Sequence, residues 1–176
     1  MCAIVFFDEH NRQSTKSEIF GLCDDIEGHP AYIESDLSNK DVKWIGIVKN
    51  ANKKEILFYP IDNCIEITRP DGSDAQKCEG VLCHDSNRLI FSELKDRKIT
   101  PDDWLKKAEN QILETLSYFY KYYKSNNYKI KAWICNKQLT TPNYYAQIAK
   151  FKDTTKKLFN LKQGLILYVD RSISLK

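Results

Sequence analysis

The change from alternating to helical hydrophobic periodicity near residue 100 most constrains the fold of this 176-residue chain. Before that point, runs rich in β-branched and aromatic residues are separated by short polar turns, which predicts antiparallel strands. Beyond it, apolar residues recur every three or four positions from Trp104 to Phe119, which predicts a long helix that begins near Pro101. A strand at 129–135, a helix at 143–159 and a strand at 165–169 complete the order. We therefore expect an α/β (α+β) fold in which helices flank a mixed β-sheet.

The first half of the chain predicts two hairpins. Five runs share the composition and length of strands: 42–49, 54–59, 63–68, 77–83 and 88–95. The first two runs and the last two are each separated by four turn-forming residues, which is the pattern of a hairpin. Among the first forty residues, two alternatives stay open. They are a hairpin of 19–24 with 31–35, and a helix at 14–22.

The composition limits the class of protein. Hydrophobic residues make up 42% of the chain and charged residues 29%, which excludes a disordered protein. The net charge of +3 is too small to require a nucleic-acid partner. No apolar run approaches the ~18–20 residues that span a bilayer, and the start of the chain lacks the pattern of a signal peptide. We expect one cytoplasmic domain over residues 1–176, with its six cysteines as free thiols.

Glu93 and Lys95 carry the strongest catalytic pattern. The sequence has no phosphate-binding glycine loop, nucleophile elbow or H-E-x-x-H zinc motif. An acidic residue stands two positions before a lysine three times, but only Glu93-Leu94-Lys95 lies in a predicted strand. Residues two apart on a strand share a face. Glu93 and Lys95 should therefore project side by side, beyond the apolar Leu89 and Phe91 of the same face.

Glu79 is the expected partner of Glu93 across the second hairpin. With the turn at 84–87, the numbers of opposed residues sum to about 172, so these two carboxylates face each other. They would repel unless a cation lies between them, and Mg²⁺ accepts paired carboxylates completed by water. The alternative is that both side chains splay into solvent. A register slip of one residue would place Glu79 on the other face.

These segments together resemble a known family. The matching residues are Ile61-Asp62-Asn63-Cys64, the runs 77–82 and 89–95, and the helical residues Ala108 and Gln111. The set is similar to the PD-(D/E)xK nuclease superfamily, whose fold is called restriction-endonuclease-like, and covers about a third of the chain. The resemblance implies a mixed sheet flanked by helices. It also implies a nuclease-like core at about 42–170, preceded by an N-terminal extension, and Mg²⁺- (or Mn²⁺-) dependent hydrolysis of DNA.

The resemblance implies a role for each matching residue. Glu79 and Glu93 would be the metal ligands. Lys95 would position or activate the attacking water and offset charge in the transition state. Gln111, on the helix that follows, would orient the lysine, a metal ligand or a phosphate. A helical glutamine is also an ordinary polar residue, and the sequence leaves both readings of Gln111 open.

The sequence departs from the family pattern at two positions. The first acid is usually Asp, whereas Glu79 occupies the best-aligned position, and the rival acids Asp71 and Asp85 lie in predicted turns. The extra methylene of Glu79 is enough to move a metal by about one ångström, which can slow a reaction substantially. Branches with the helical Gln often carry Tyr four residues later, where this chain has Thr115.

Nucleic acid, with DNA favoured, is the partner that the resemblance implies. The tract 118–131 mixes Tyr and Lys, which suits base stacking and backbone contacts, although such tyrosines also serve to cover the edge of a core. The alternative function is a catalytically impaired protein of the same fold that acts as a binding or structural subunit. We expect no membrane association, and a homodimer or membership of a larger complex stays open.

Overall fold

A computed structural model describes residues 5–97, 104–123, 127–139 and 144–175 of the protein. Within these ranges, seven strands precede the first α-helix and three follow it. The strands before it are β1 (Gln13–Thr15), β2 (Ile19–Cys23), β3 (Tyr32–Glu34), β4 (Gly46–Lys49), β5 (Ile56–Pro60), β6 (Gly80–His84) and β7 (Arg88–Lys95). The later elements are α1 (Trp104–Tyr123), β8 (Lys129–Asn136), α2 (Tyr145–Leu158), β9 (Ile166–Val169) and β10 (Ser172–Ser174).

The larger sheet has six strands in the order β1-β5-β6-β7-β8-β9. Its first four strands pair antiparallel, whereas β8 and β9 extend it in parallel with β7. Parallel neighbours need a crossover connection. The helix α1 lies between β7 and β8 along the chain, and α2 lies between β8 and β9. The prediction of a mixed sheet with helices in an α+β protein is confirmed.

A smaller sheet, which the sequence did not predict, has the order β10-β4-β2-β3. It packs against the larger sheet around Trp133 of β8. A Cβ atom added to Gly46 would lie only 2.7 Å from the Trp133 ring, so a larger residue would not fit there. The indole N–H of Trp133 donates to the carbonyl of Asp170 at 2.7 Å, just before β10. The protein therefore has three layers: helices, six-stranded sheet and four-stranded sheet.

The two faces of β7 belong to two different cores. Leu89 and Phe91 pack in the cluster that includes the buried residues of α1 and α2. Ile90 and Leu94 pack in the cluster that includes the smaller sheet. Because side chains alternate along a strand, Glu93 falls on the helix-covered face with Leu89 and Phe91. The predicted alternation of this strand is confirmed.

The hairpin predicted from runs 42–49 and 54–59 is wrong, because β4 lies in the smaller sheet and β5 in the larger one. The buried side chain of Asn50 accounts for the difference. Its amide donates to the carbonyls of Ser17 at 3.1 Å and Lys54 at 2.9 Å, and its oxygen accepts from the N–H of Lys54. These bonds hold the chain where it leaves one sheet and enters the other.

Three further predictions have different outcomes. β2 and β3 pair antiparallel, so the hairpin alternative for the first forty residues is confirmed and the helix at 14–22 is wrong. The predicted strand at 63–68 is wrong, since this stretch makes only an isolated bridge between Thr68 and Asp74. The helix α1 is present, and its predicted start near Pro101 lies outside the described residues.

Candidate active site

Glu93 is a charged side chain enclosed by the protein. It stands near the end of β7 and is 0% exposed. Its Oε1 forms an ion pair with Nζ of Lys95, whose side chain is 14% exposed. Its Oε2 is buried and has no hydrogen-bond partner among the described residues. A buried oxygen left without a partner is costly, so an added donor or cation at this point would stabilise the protein.

Glu79 lies opposite Glu93 by extension of the β6–β7 register. The last pair within the strands is Gly80 with Ser92, which is the predicted register, and one further step in this register would place Glu79 opposite Glu93. The predicted strand at 77–83 begins too early, because β6 starts at Gly80 and Glu79 stands just before it. The backbone of Glu79 is still tied to the sheet, since its carbonyl accepts from the N–H of Ile61 at 2.9 Å.

The electrostatics of the site follow from burial and from the closeness of like charges. Glu79 is only 6% exposed. Burial, and then the charge of Glu93, raises the pKa of Glu79 to about 9. Burial also raises the pKa of Glu93 to about 7, while Lys95 opposes that rise. Crowded carboxylates of this kind are typical of functional sites, although structural networks produce them too.

Two further carboxylates, Asp24 and Asp62, belong to the same electrostatic cluster; Asp24 was not predicted, and Asp62 was part of the family resemblance but had no predicted role. Both act on the pKa of Glu79 and of Glu93 in the upward direction. Asp24 directly follows β2 of the smaller sheet, and Asp62 follows β5 in the larger one. Oδ1 of Asp62 also lies 3.5 Å from Nζ of Lys77. In the sequence, each of these acids stands within two residues of the end of a strand. Nothing in the sequence indicates that the two strand ends lie close together in the fold.

Gln111 and Thr115 of α1 hold the backbone that leads to Glu79. The amide of Gln111 donates to the carbonyl of Lys77 at 3.1 Å. The buried hydroxyl of Thr115 accepts from the N–H of Cys78 at 2.9 Å and donates to the carbonyl of Gln111. In this structure Gln111 thus acts on the chain before Glu79. Thr115, noted above only as a departure from the family pattern, holds the same stretch of backbone.

Glu114, on the same helix, holds the preceding loop. Its carboxylate accepts two hydrogen bonds from the guanidinium of Arg69, at 2.6 and 2.8 Å, and one from the N–H of Gln76 at 3.2 Å. A bidentate pair of this kind fixes geometry as well as charge. The loop between β5 and β6 is therefore attached to α1 over several residues, which limits how far Glu79 can move.

The rival acids Asp71 and Asp85 lie in turns, as predicted. Asp71 accepts hydrogen bonds from the N–H and hydroxyl of Ser73, which lower the pKa of its carboxyl group. Asp85 lies in the turn between β6 and β7, at the opposite end of the hairpin from Glu93, and pairs with Lys54 at 2.9 Å. Neither belongs to the cluster around Glu93.

The tyrosines of the tract 118–131 mainly cover the helix-side core. Those that pack against this core are Tyr118, Tyr120, Tyr123 and Tyr128. Tyr120 also stacks on Phe159, with ring centroids 4.4 Å apart. These contacts favour the structural interpretation of the tract over nucleic-acid stacking. Among the described residues, no helix combines the length and the apolar character needed to cross a membrane.

The acidic cluster offers the type of ligand that a divalent cation binds, but it does not form a complete set of ligands. Within the described ranges, no three His, Cys, Asp or Glu side chains converge in an arrangement able to hold a metal ion. Glu79 and Glu93 nevertheless suit Mg²⁺, which takes one or two carboxylates and keeps several waters. The unpartnered buried oxygen belongs to Glu93. A scan against protein-family models, a search of curated proteins and a search of solved structures found no match to this chain.

Proposed function

We propose that the protein is a metal-dependent nuclease that hydrolyses phosphodiester bonds in DNA. The observation that carries the proposal is the fully buried Glu93, which binds Lys95 through one oxygen, leaves the other unpartnered and lies close enough to Glu79 to raise its pKa. The order of elements from β5 to β8, three antiparallel strands followed by a helix and a parallel strand, supports a restriction-endonuclease-like fold.

Glu79 and Glu93 are the residues that would hold Mg²⁺ or Mn²⁺. Bound there, the cation would supply charge neutralisation for the phosphate and orient a water for in-line attack. The two glutamates have to be ionised for this role, and their mutual repulsion is the reason why a cation is favoured between them. The raised pKa of Glu79 therefore makes metal affinity depend on pH.

Lys95 is the cation that this chain itself contributes to the reaction. Its ammonium group is paired with Glu93, and its side chain is 14% exposed. There it can donate a hydrogen bond to the attacking water or to a phosphate oxygen. A fixed positive charge of this kind stabilises the charge that develops on the phosphate in the transition state. Gln111 and Thr115 contribute indirectly, because they hold the backbone before Glu79.

The test is a cleavage assay on supercoiled, linear and single-stranded DNA, with RNA as the comparison. Wild-type protein should cleave DNA with Mg²⁺ or Mn²⁺, and EDTA should stop the reaction. Glu93→Gln, which keeps the size of the side chain, should abolish cleavage and weaken Mn²⁺ binding in calorimetry. Glu55→Gln is the matched control, since Glu55 is an exposed glutamate just before β5. Cleavage that survives in the Glu93 variant would contradict the proposal.

A second candidate function is nucleic-acid binding without cleavage, as a catalytically impaired subunit. The observation that favours it is the lack of three converging metal-ligating side chains in the described part of the chain. Glu79→Asp distinguishes the two candidates. If wild type is inactive and this shortening restores metal-dependent cleavage, the longer side chain misplaces the metal. If neither form cleaves DNA or binds Mn²⁺, the nuclease proposal is wrong.

A further inference from the structure

A cavity of about 520 Å³ lies at the other end of β7, away from Glu93. Its walls come from β6, β7, β8, β9, β10 and the start of α2. Arg88, Ile90 and Lys131 line it and, by the alternation of β7 and β8, share the sheet face opposite to Glu93. Lys95 stands seven positions after Arg88 along the strand, a separation of about 23 Å. The cavity is thus distinct from the acidic cluster in position and in charge.

The charges of the cavity are mainly positive. Arg88 and Lys131 line it, and a smaller cavity of about 140 Å³ that shares both residues adds Lys129. Asp170 also lines the larger cavity, and its carboxylate accepts a hydrogen bond from the N–H of Ser172 within its own turn. Asp85 lies 2.9 Å from Lys54 and 3.7 Å from Arg88. The acids therefore offset only part of the positive charge, and an anion would be attracted to the cavity.

Aromatic rings lie beside these cations. Tyr168 lines the cavity, and its hydroxyl accepts a hydrogen bond from Nζ of Lys131 at 3.1 Å. Tyr145, at the start of α2, lines the cavity although the residue is 80% exposed. An exposed tyrosine at a cavity offers a flat surface to an aromatic ligand, and base–aromatic stacking is effective for any base. Ile90 adds an apolar wall between the charged groups.

His84 is a buried polar residue at the border of both cavities. The residue is 6% exposed and lines both cavities. Its Nδ1 lies 3.5 Å from Oδ2 of Asp85 but has no hydrogen-bond partner among the described residues. The atom is shielded from solvent and lies close to the carboxylate of Asp85, so we assign it no contact with a ligand.

We infer that this cavity binds a nucleotide, with its phosphate on Arg88 and Lys131 and its base against the tyrosine rings. The volume lies within the range of cavities that enclose small ligands. Paired cations suit a phosphate, and the aromatic and apolar walls suit a base. The inference does not depend on the proposed nuclease activity, because the two sites share no residue and lie at opposite ends of β7.

The experiment is calorimetric titration of the whole chain with 5′-AMP, GMP, CMP and UMP in buffer that contains EDTA. Inorganic phosphate and adenosine serve as half-ligand probes. Arg88→Gln and Lys131→Met should each weaken binding at least about tenfold, the effect of one charge-assisted hydrogen bond. Lys156→Met is the matched control, since Lys156 is an exposed lysine of α2 outside the cavity. Thermal unfolding checks that each variant folds.

A second measurement uses only the wild-type protein and tests the inference even if a variant fails to fold. In the wild-type protein, a bound mononucleotide should protect Lys131 from acetylation and leave Lys156 reactive, as read by mass spectrometry. Four results would overturn the inference. The first is that no mononucleotide binds, and the second is that both variants bind nucleotides as tightly as wild type. The third is that inorganic phosphate binds as tightly as the nucleotides. The fourth is that single-stranded DNA binds through Arg88 and Lys131 although mononucleotides do not. If the protein does not cleave DNA, the expected result of the nucleotide titration is still the same.

Discussion

The two ends of β7 carry opposite chemistry. At the carboxyl end, Glu93 is fully buried, pairs with Lys95 and faces Glu79. At the amino end, Arg88 lies beside a cavity that is also lined by Lys131. The acidic end lies on the helix-covered face, whereas the basic end lies on the face shared with the smaller sheet. One eight-residue strand therefore carries at its two ends the two sites that we propose.

The two ends of β7 also differ in how they are packed. The acidic end is fixed by hydrogen bonds from α1, through Gln111 and Thr115, to the backbone before Glu79. Beside the basic end there is room for a ligand, bordered by the turn between β9 and β10. A pre-positioned acidic pair is suited to chemistry, and an open basic cavity is suited to binding.

Lys95→Met should produce the largest change. The substitution keeps the hydrophobic stem of the side chain and removes its charge, so we expect turnover to fall by about 10²–10³-fold, or ~3–4 kcal/mol. DNA cleavage rates at saturating Mg²⁺ measure the effect. Lys43→Met is the control, because Asp41-Val42-Lys43 has the same acid-x-lysine spacing but lies in a turn before β4. If both variants lose the same fraction of the cleavage rate, the acidic end has no specific role in cleavage.

The stability of the metal-free protein should fall as pH rises between 7 and 8.5. Glu79 has a pKa of about 9 in the folded protein, well above the ordinary 4.5, so the folded state holds a proton that the unfolded chain has released. The free energy of unfolding should then drop by up to about 1.4 kcal/mol per pH unit. Denaturant titrations measure it, with Glu79→Gln as the reference.

The difference between wild type and Glu79→Gln isolates the contribution of Glu79 from that of other groups. Saturating Mn²⁺ should remove the slope, because metal binding requires ionised carboxylates. A wild-type slope no steeper than that of the variant would mean that Glu79 is ionised in the folded protein. The acidic end would then already be neutralised by its lysines.

Thr115→Val should lower the free energy of unfolding by about 1–3 kcal/mol, since the buried N–H of Cys78 loses its acceptor. Thr155→Val is a closely matched control. Thr155 is also a fully buried helical threonine, and its hydroxyl accepts from the N–H of Leu165 at 2.9 Å and donates to the carbonyl of Phe151. Both variants should be similarly destabilised, but only Thr115→Val should weaken Mn²⁺ binding. Equal metal affinity in the two would show that Thr115 has no positioning role.

The parts of the fold that were predictable are local in sequence. The alternation of residues 88–95 and the four-residue turn before them were enough to predict β7 and its register with β6. The opposition of Glu79 and Glu93 followed from that register. These features depend on residues within one hairpin, where period and turn length set the pairing.

The parts that were not predictable depend on contacts between distant segments. The separation of β4 from β5 results from the hydrogen bonds of Asn50 to Ser17 and Lys54, which no periodicity reveals. Asp24, which follows β2 in the smaller sheet, lies close enough to act on both glutamates, and no pattern within one segment reveals this proximity. The basic cavity needs β10, a three-residue strand too short to carry a pattern.

Gln111→Leu should have the smallest effect and decides how this residue acts. Its amide makes one partly buried, neutral hydrogen bond, to the carbonyl of Lys77, so we expect a loss of only about 0.5–1.5 kcal/mol in stability. If Gln111 positions the chain before Glu79, the variant should weaken Mn²⁺ binding slightly and leave kcat at saturating metal nearly unchanged. A group that contacts the phosphate in the transition state would instead lower kcat at every metal concentration. Metal titrations of the cleavage rate separate the two, because only the positioning role predicts that high Mn²⁺ restores the wild-type rate.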